Sequence, residues 1–255
     1  MIMAVILTMG RGGTGKTSFT ALMARHLVET GQGPILLADL DPDMNLAEMV
    51  GVDLEKEGVK TVSELIADTF IGRGGTTVGI APRERMEQSL LEKGLFEGTG
   101  FDLMVVGTKW LEGCYCMPDA ALKSALQVLM ANYRHVLIDS PAGLEHLNRK
   151  VTSNVDDLFD VIGPSSKSFA HVDRAIRIIR EVKITVNHFH VIASYLFPEG
   201  LVEEAESRGR RKILGRIATD PLLAAYVLAG RSLMELPETS PAFESVRNIM
   251  RRAGY

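Results

Sequence analysis

The segment Gly10-Arg11-Gly12-Gly13-Thr14-Gly15-Lys16-Thr17 constrains this chain more than any other. It follows an apolar run, Met3 to Thr8, and precedes a helical pattern that begins near Ser18. A glycine-rich turn that joins a strand to a helix and ends in Lys-Thr is a phosphate-binding P-loop in its strand-loop-helix setting. Glycine lets the backbone curl until successive N–H groups point at phosphate oxygens, and the positive end of the following helix reinforces that cradle. Lys16 is then expected to reach the β- and γ-phosphates, and the Thr17 hydroxyl to ligate the magnesium ion between them. The expected ligand is a nucleoside triphosphate held by Gly10, Gly12, Gly13, Thr14, Gly15, Lys16, Thr17 and Ser18. Arg11 is a cation that an ordinary P-loop does not require; it suggests a second charge aimed at phosphate, including that of a partner subunit.

A chain of 255 residues can bury a substantial core, and the expectation is one P-loop domain over residues 1–255. Apolar runs alternate with helical patterns, which predicts an α/β, doubly wound, mostly parallel sheet with helices on both faces, the P-loop NTPase fold. Strands are expected over Ala4–Thr8, Pro34–Asp39, Leu103–Gly107, His135–Asp139, Leu158–Gly163, His190–Ser194 and Ile213–Ala218. Helices are expected over Lys16–Glu29, Ala120–Ala131, Phe169–Glu181 and Pro221–Leu228, with Gly72–Thr77 as a mobile loop. A net charge of −4 provides no general attraction for nucleic acid. The N-terminal apolar run is too short for a leader or a membrane span, and two cysteines one residue apart exclude a disulfide framework, so a cytoplasmic protein is expected.

Two acidic strand ends suit nucleotide chemistry. The second strand runs into Asp39-Leu40-Asp41-Pro42-Asp43, three carboxylates at alternate positions that face one side of an extended segment and lie near the P-loop if the first two strands are neighbours. One of them can orient the water that attacks the γ-phosphate and another can reach the metal shell; Asp43 serves either there or as the cap of a helix starting near Asn45. The run His135-Val136-Leu137-Ile138-Asp139 has the form of a Walker B strand whose Asp139 holds magnesium, directly or through water. Gly143, in the following Ser140-Pro141-Ala142-Gly143, is placed to sense the γ-phosphate through its backbone N–H.

The P-loop, the Asp39–Pro42 segment and Asp139–Gly143 together resemble the MinD/ParA/nitrogenase-iron-protein class of dimeric, deviant P-loop ATPases. The resemblance implies a magnesium-dependent ATPase that turns ATP into ADP and phosphate, acts as a homodimer, and uses Lys16, Asp41 and Arg11 in catalysis. Asp41 matches the class's water-positioning residue, and Asp39 and Asp139 match its magnesium-linked carboxylates. Arg11 stands where the class has a lysine that reaches across the dimer, so the charge is kept on a planar fork. Gly163–Ser168 resembles the strand-to-helix turn near the base, while Ser194-Tyr195 stands where a base-reading asparagine is usual and Asp220-Pro221 is a candidate for the base-side loop.

Gly113-Cys114-Tyr115-Cys116-Met117-Pro118 carries both cysteines of the chain. Residues two apart in an extended segment face the same way, so both sulfurs can bind one soft or borderline metal; equally, such cysteines can be small apolar packing residues. Two thiolates fill half a tetrahedral site, and a symmetric dimer would supply four, suited to zinc or nickel. With Ala142-Gly143-Leu144-Glu145-His146-Leu147, this segment resembles CooC-type ATPases. That resemblance implies a metallochaperone that inserts nickel into carbon monoxide dehydrogenase or acetyl-CoA synthase, with Cys114 and Cys116 shared across the dimer. His146 is either a further ligand or a helix-start histidine. The alternative is a positioning ATPase with nucleotide-controlled membrane or DNA association. The apolar stripe Phe243, Val246, Ile249 and Met250 is expected to pack on its own domain rather than on a bilayer, and Glu203, Glu204 and Glu206 offset the basic cluster at Arg208–Lys212, so neither a membrane nor a nucleic-acid partner is expected.

Overall fold

The computed structural model describes residues 3–68, 82–107, 123, 126–143, 153–209 and 211–255. Strands β1 (Ala4–Gly10), β2 (Ile35–Asp39), β5 (His135–Asp139) and β6 (Asn154–Ile162) are buried along nearly their whole length. Such continuous apolar runs belong to parallel strands covered on both faces. With β3 (Phe96–Glu97), β4 (Asp102–Val105), β7 (Thr185–Ala193) and β8 (Ile213–Arg216) they form one sheet in the order β3-β4-β2-β5-β1-β6-β7-β8. Only the β3–β4 pair is antiparallel. The fold is the doubly wound, mostly parallel sheet expected.

One difference decides how the site is built. The first two strands are not neighbours, because β5 lies between them and pairs in register with both: Thr8 with Asp139 on one side and Asp39 with Asp139 on the other. The P-loop strand and the two acidic strand ends therefore share one carboxyl edge, at the reversal of strand order where α/β sheets bind ligands.

Helices α1 (Lys16–Glu29) and α2 (Asn45–Met49) cover one face, together with the C-terminal α8 (Pro241–Ala253). α1 is buried over most of its circumference, with Phe19 edge-on to Phe159 of β6 at 5.5 Å. Its Arg25 is buried too, and is satisfied by Glu29, by the carbonyls of Leu233 and Leu236, and by the Phe243 ring 4.0 Å away. Phe243, Val246, Ile249 and Met250 are all buried, so the C-terminal apolar stripe packs on the domain itself. The opposite face is covered by α3 (Val62–Ile66), α4 (Pro82–Lys93), the helical residues 126–130 and α5 (Ser166–Glu181). Two further helices, α6 (Val202–Gly209) and α7 (Pro221–Leu228), flank β8 in sequence. Asp220 caps α7 and Pro221 opens it, the order that suits a helix start. Gly72–Thr77 lies outside the described residues. No helix among the described residues is long and apolar enough to cross a membrane.

Candidate functional site

The chain leaves β1 at Gly10 and enters α1 at Lys16 through Gly15, which sits at the helix N-terminus with φ 86°. Gly10 has φ 146° and lies so close to β6 that a Cβ there would stand 2.4 Å from the Val161 carbonyl oxygen. The loop closes on the Arg11 carbonyl, which accepts from the Thr14 hydroxyl at 2.9 Å and from the Lys16 ammonium at 3.4 Å. Lys16 is buried, whereas the Arg11 side chain is exposed. The protein thus keeps one cation inside the loop and presents the other to whatever approaches from outside.

Thr17, in the first turn of α1, donates its hydroxyl to Asp139 Oδ2 at 2.7 Å. One turn on, Thr20 donates to Asp139 Oδ1 at 3.1 Å. Burial pushes the Asp139 carboxyl up to about 6, against the Thr17 hydrogen bond, the Lys16 charge and the Thr20 hydrogen bond that favour its ionised form. On the next strand Asp39 is raised to about 7, by burial first and then by the charge of Asp139. Two buried carboxylates side by side resist ionising together, and a cation at this edge would relieve them. The oxygens of Thr17 and Asp139 suit a hard divalent ion. Among the described residues no three His, Cys, Asp or Glu side chains gather as a metal cluster.

The three carboxylates after β2 do not share one face. The strand ends at Asp39, whose Oδ1 accepts from the Asp41 N–H at 2.9 Å and whose Oδ2 accepts from the Leu46 N–H at 3.0 Å. Asp39, not Asp43, therefore satisfies the N-terminus of α2, where Met44 is the cap residue without a side-chain bond of its own. Asp41 is half-buried at the sheet edge and its Oδ1 accepts from the Asp43 N–H at 3.1 Å, while Asp43 points to solvent. Gly143, with φ 99°, reaches the P-loop by an N–H bond to the Gly10 carbonyl at 3.4 Å.

Beside the loop lies a cavity of about 520 Å³, lined by Gly13, Gly15, Ser18, Phe19 and Leu22 on one side and by Tyr195, residues 217–221 and α7 on the other. Asp220 and Pro221 thus line the same cavity as the P-loop residues Gly13 and Gly15. The Gly163–Ser168 turn contributes instead to a separate cleft of about 280 Å³ with Phe169, Phe197 and Leu201.

Thr20, Asp160 and His171 were not anticipated from sequence. Thr20 was legible, since it falls three residues after Thr17 on the same helix face. Asp160 is fully buried in β6 with both oxygens unpartnered among the described residues, and burial lifts its carboxyl to about 7 despite nearby Lys16. His171 of α5 is held below the usual imidazole range by burial and by the charges of Arg11, Arg174 and Lys16. Cys114, Cys116 and His146 lie outside the described residues.

Comparison with known proteins gives the same reading. The AAA domain family matches residues 3–191. The chain is 30% identical over 252 residues to an uncharacterized ATP-binding protein of Methanocaldococcus jannaschii, covering 97% of each chain. It is 29% identical to the carbon monoxide dehydrogenase accessory protein CooC of Rhodospirillum rubrum, covering 93% of this chain and 90% of that one. A ParA family ATPase from Chlorobium tepidum TLS superposes with a TM-score of 0.73 at 16% identity, covering 99% of both chains. The chain belongs to the AAA domain family, it shares the fold of the MinD and ParA structures, and CooC is among its relatives.

Proposed function

We propose that this protein is a magnesium-dependent, homodimeric ATPase that serves as a metallochaperone, inserting nickel into carbon monoxide dehydrogenase or acetyl-CoA synthase. The observation that carries the ATPase half is the meeting of Lys16, Thr17 and Asp139 at one sheet edge, with Asp41 beside them. In the loaded site Lys16 leaves the Arg11 carbonyl for the β- and γ-phosphates, and the loop N–H groups hold the remaining oxygens. Thr17 and Asp139 would hold magnesium, with Asp39 contributing through water because both its oxygens already accept backbone N–H bonds. Magnesium bound there neutralises charge on the phosphate oxygens. Asp41 accepts a hydrogen bond from the attacking water; the water oxygen bonds to the γ-phosphorus as the bond from that phosphorus to the ADP β-phosphate oxygen breaks, and the water's protons leave on the inorganic phosphate or to solvent. Gly143 exchanges its long bond to Gly10 for the γ-phosphate and so reports whether that group is present.

Arg11, exposed on the loop, acts on the partner's nucleotide. Mixing Arg11→Ala with Lys16→Ala subunits tests this: each homodimer is expected to be weak, while the mixture recovers a large fraction of one wild-type site, read as phosphate release. A fully active, normally dimerising Arg11→Ala protein would remove the trans role.

The metallochaperone half rests on the Cys114-Tyr115-Cys116 spacing and on the likeness to CooC. Two thiolates from each subunit complete one four-sulfur site, through which nucleotide-driven changes in the dimer alter metal affinity, and metal must alter nucleotide affinity by the same factor. The deciding experiment is metal analysis and nickel or zinc titration of the wild type and the Cys114→Ser/Cys116→Ser variant, with and without nucleotide. One metal per dimer is expected in the wild type and none at this site in the variant, with ATP affinity within about twofold because neither cysteine belongs to the phosphate-binding segment Gly10–Thr17. Equal metal binding by both proteins in every nucleotide state would sink this reading and favour a positioning ATPase.

A further inference from the structure

Tyr195 stands two residues past the end of β7, in Ser194-Tyr195, where this chain lacks an amide side chain to read a base. Its main chain is tied to the base-side loop, since the Tyr195 carbonyl accepts from the Thr219 hydroxyl at 3.1 Å. Its side chain turns the other way and lies on the P-loop. The phenol donates to the Gly13 carbonyl at 3.2 Å, and ring carbons stand 3.4 Å from where a Cβ of Gly15 would be. No other aromatic side chain bridges the loop and the cavity among the described residues: Phe19 lines the cavity from the α1 side.

Two consequences follow from that placement. The Gly13–Thr14 peptide is planar and trans, so a carbonyl drawn toward Tyr195 sends the Thr14 N–H in the opposite direction, across the loop. Meanwhile Tyr195 is 41% exposed and lines the cavity, which leaves its ring available to a flat ligand. The only carboxylate or amide side chain lining the cavity, among the described residues, is Asp220. Asp220 already accepts from the Leu222, Leu223 and Ala242 N–H groups and from the Ser240 hydroxyl, so it has no oxygen left for a base edge.

We propose that Tyr195 is a positioning residue of the nucleotide site, gripping the base by its face while its hydroxyl orients the Gly13–Thr14 peptide of the phosphate cradle. It couples the base cavity to the P-loop. A face contact does not read the base edge, so Tyr195 contributes equally to adenine and guanine nucleotides. This inference rests on the P-loop being the nucleotide site.

Titrations of wild type, Tyr195→Phe and Tyr195→Ala with non-hydrolysable ATP and GTP analogues and with inorganic tripolyphosphate, each with magnesium, separate the two contacts. Tyr195→Phe is expected to weaken all three ligands by the same factor, about threefold, because only the cradle bond is lost. Tyr195→Ala should weaken both nucleotides by about a further fivefold and tripolyphosphate no further, because only nucleotides have a ring to lose. A purely structural role would move all three ligands together in both variants. If Tyr195→Ala weakens tripolyphosphate as much as the nucleotides, or discriminates between ATP and GTP, the face grip is wrong. If Tyr195→Phe leaves every affinity unchanged, the cradle contact is wrong. A wild-type protein that binds neither tripolyphosphate nor nucleotide would instead overturn the P-loop reading beneath the proposal.

Discussion

Replacing Lys16 with alanine is expected to lower ATP turnover by at least about 10²-fold, the scale on which removal of a single preorganised charge-stabilising donor acts in a closed site. This ammonium is buried and has a long, 3.4 Å bond to the Arg11 carbonyl. A phosphate oxygen is a stronger, charged acceptor, so the lysine gains most when the γ-phosphate is present and most of all as charge develops during transfer. Asp41→Ala should separate binding from chemistry. Asp41 lies at the sheet edge and bonds only within its own turn, to the Asp43 N–H, so its loss should leave ATP affinity within about threefold while turnover falls by about 10²-fold or more. Steady-state phosphate release and equilibrium nucleotide titration on the same preparations measure both quantities. Turnover within threefold of wild type in either variant would remove that residue from the catalytic set.

Much of the architecture was legible because parallel, fully buried strands leave long apolar runs. Expected and observed bounds coincide for β5, α1 and α7. Lateral strand order is a different kind of information. Nothing in the periodicity of β1 or β2 reveals that β5 inserts between them, since the partner is a hundred or more residues away along the chain. That insertion brings Asp39 and Asp139 side by side and makes Asp39 a scaffold for the Asp41 turn and for α2. The Asp43 cap gives way to a competitor four residues earlier: Asp39, at the strand end, accepts the Leu46 N–H instead. The short α3 was readable in its Thr61-x-x-Glu64 capping box, which the structure forms in full, whereas two-residue β3 has too little pattern to read. Asp160 sits in an apolar strand with no motif around it, and its proximity to Lys16 exists only once β6 pairs with β1.

Gly10→Ala is expected to be the most damaging single-methyl substitution in the phosphate loop. A Cβ at this position would lie 2.4 Å from the Val161 carbonyl oxygen, 3.2 Å from its carbon and 3.3 Å from the Thr14 hydroxyl. Val161 is the in-register partner of Gly10 on β6, so the obstruction is backbone at the centre of the sheet and cannot swing aside. The φ of 146° adds strain for any L side chain. Relief requires β1 and β6 to separate or the loop to re-route, at a cost of about 3 kcal/mol or more, and for a chain of this size that lowers Tm by about 6–12 °C. Two neighbouring glycines serve as controls. Gly13 has φ 75° with nothing within 4 Å of a Cβ, so Gly13→Ala meets only the left-handed penalty of about 1–2 kcal/mol. Gly12 has ordinary backbone and only the Ala142 methyl 3.9 Å away, so Gly12→Ala should stay within about 0.5 kcal/mol of wild type. Thermal melts of the three variants without nucleotide should therefore rank Gly10→Ala far below Gly13→Ala, with Gly12→Ala near wild type. A Gly10→Ala protein that melts within 2 °C of wild type would mean that β1 and β6 can part at the loop without disturbing the sheet, and the close approach would lose its role in shaping the cradle.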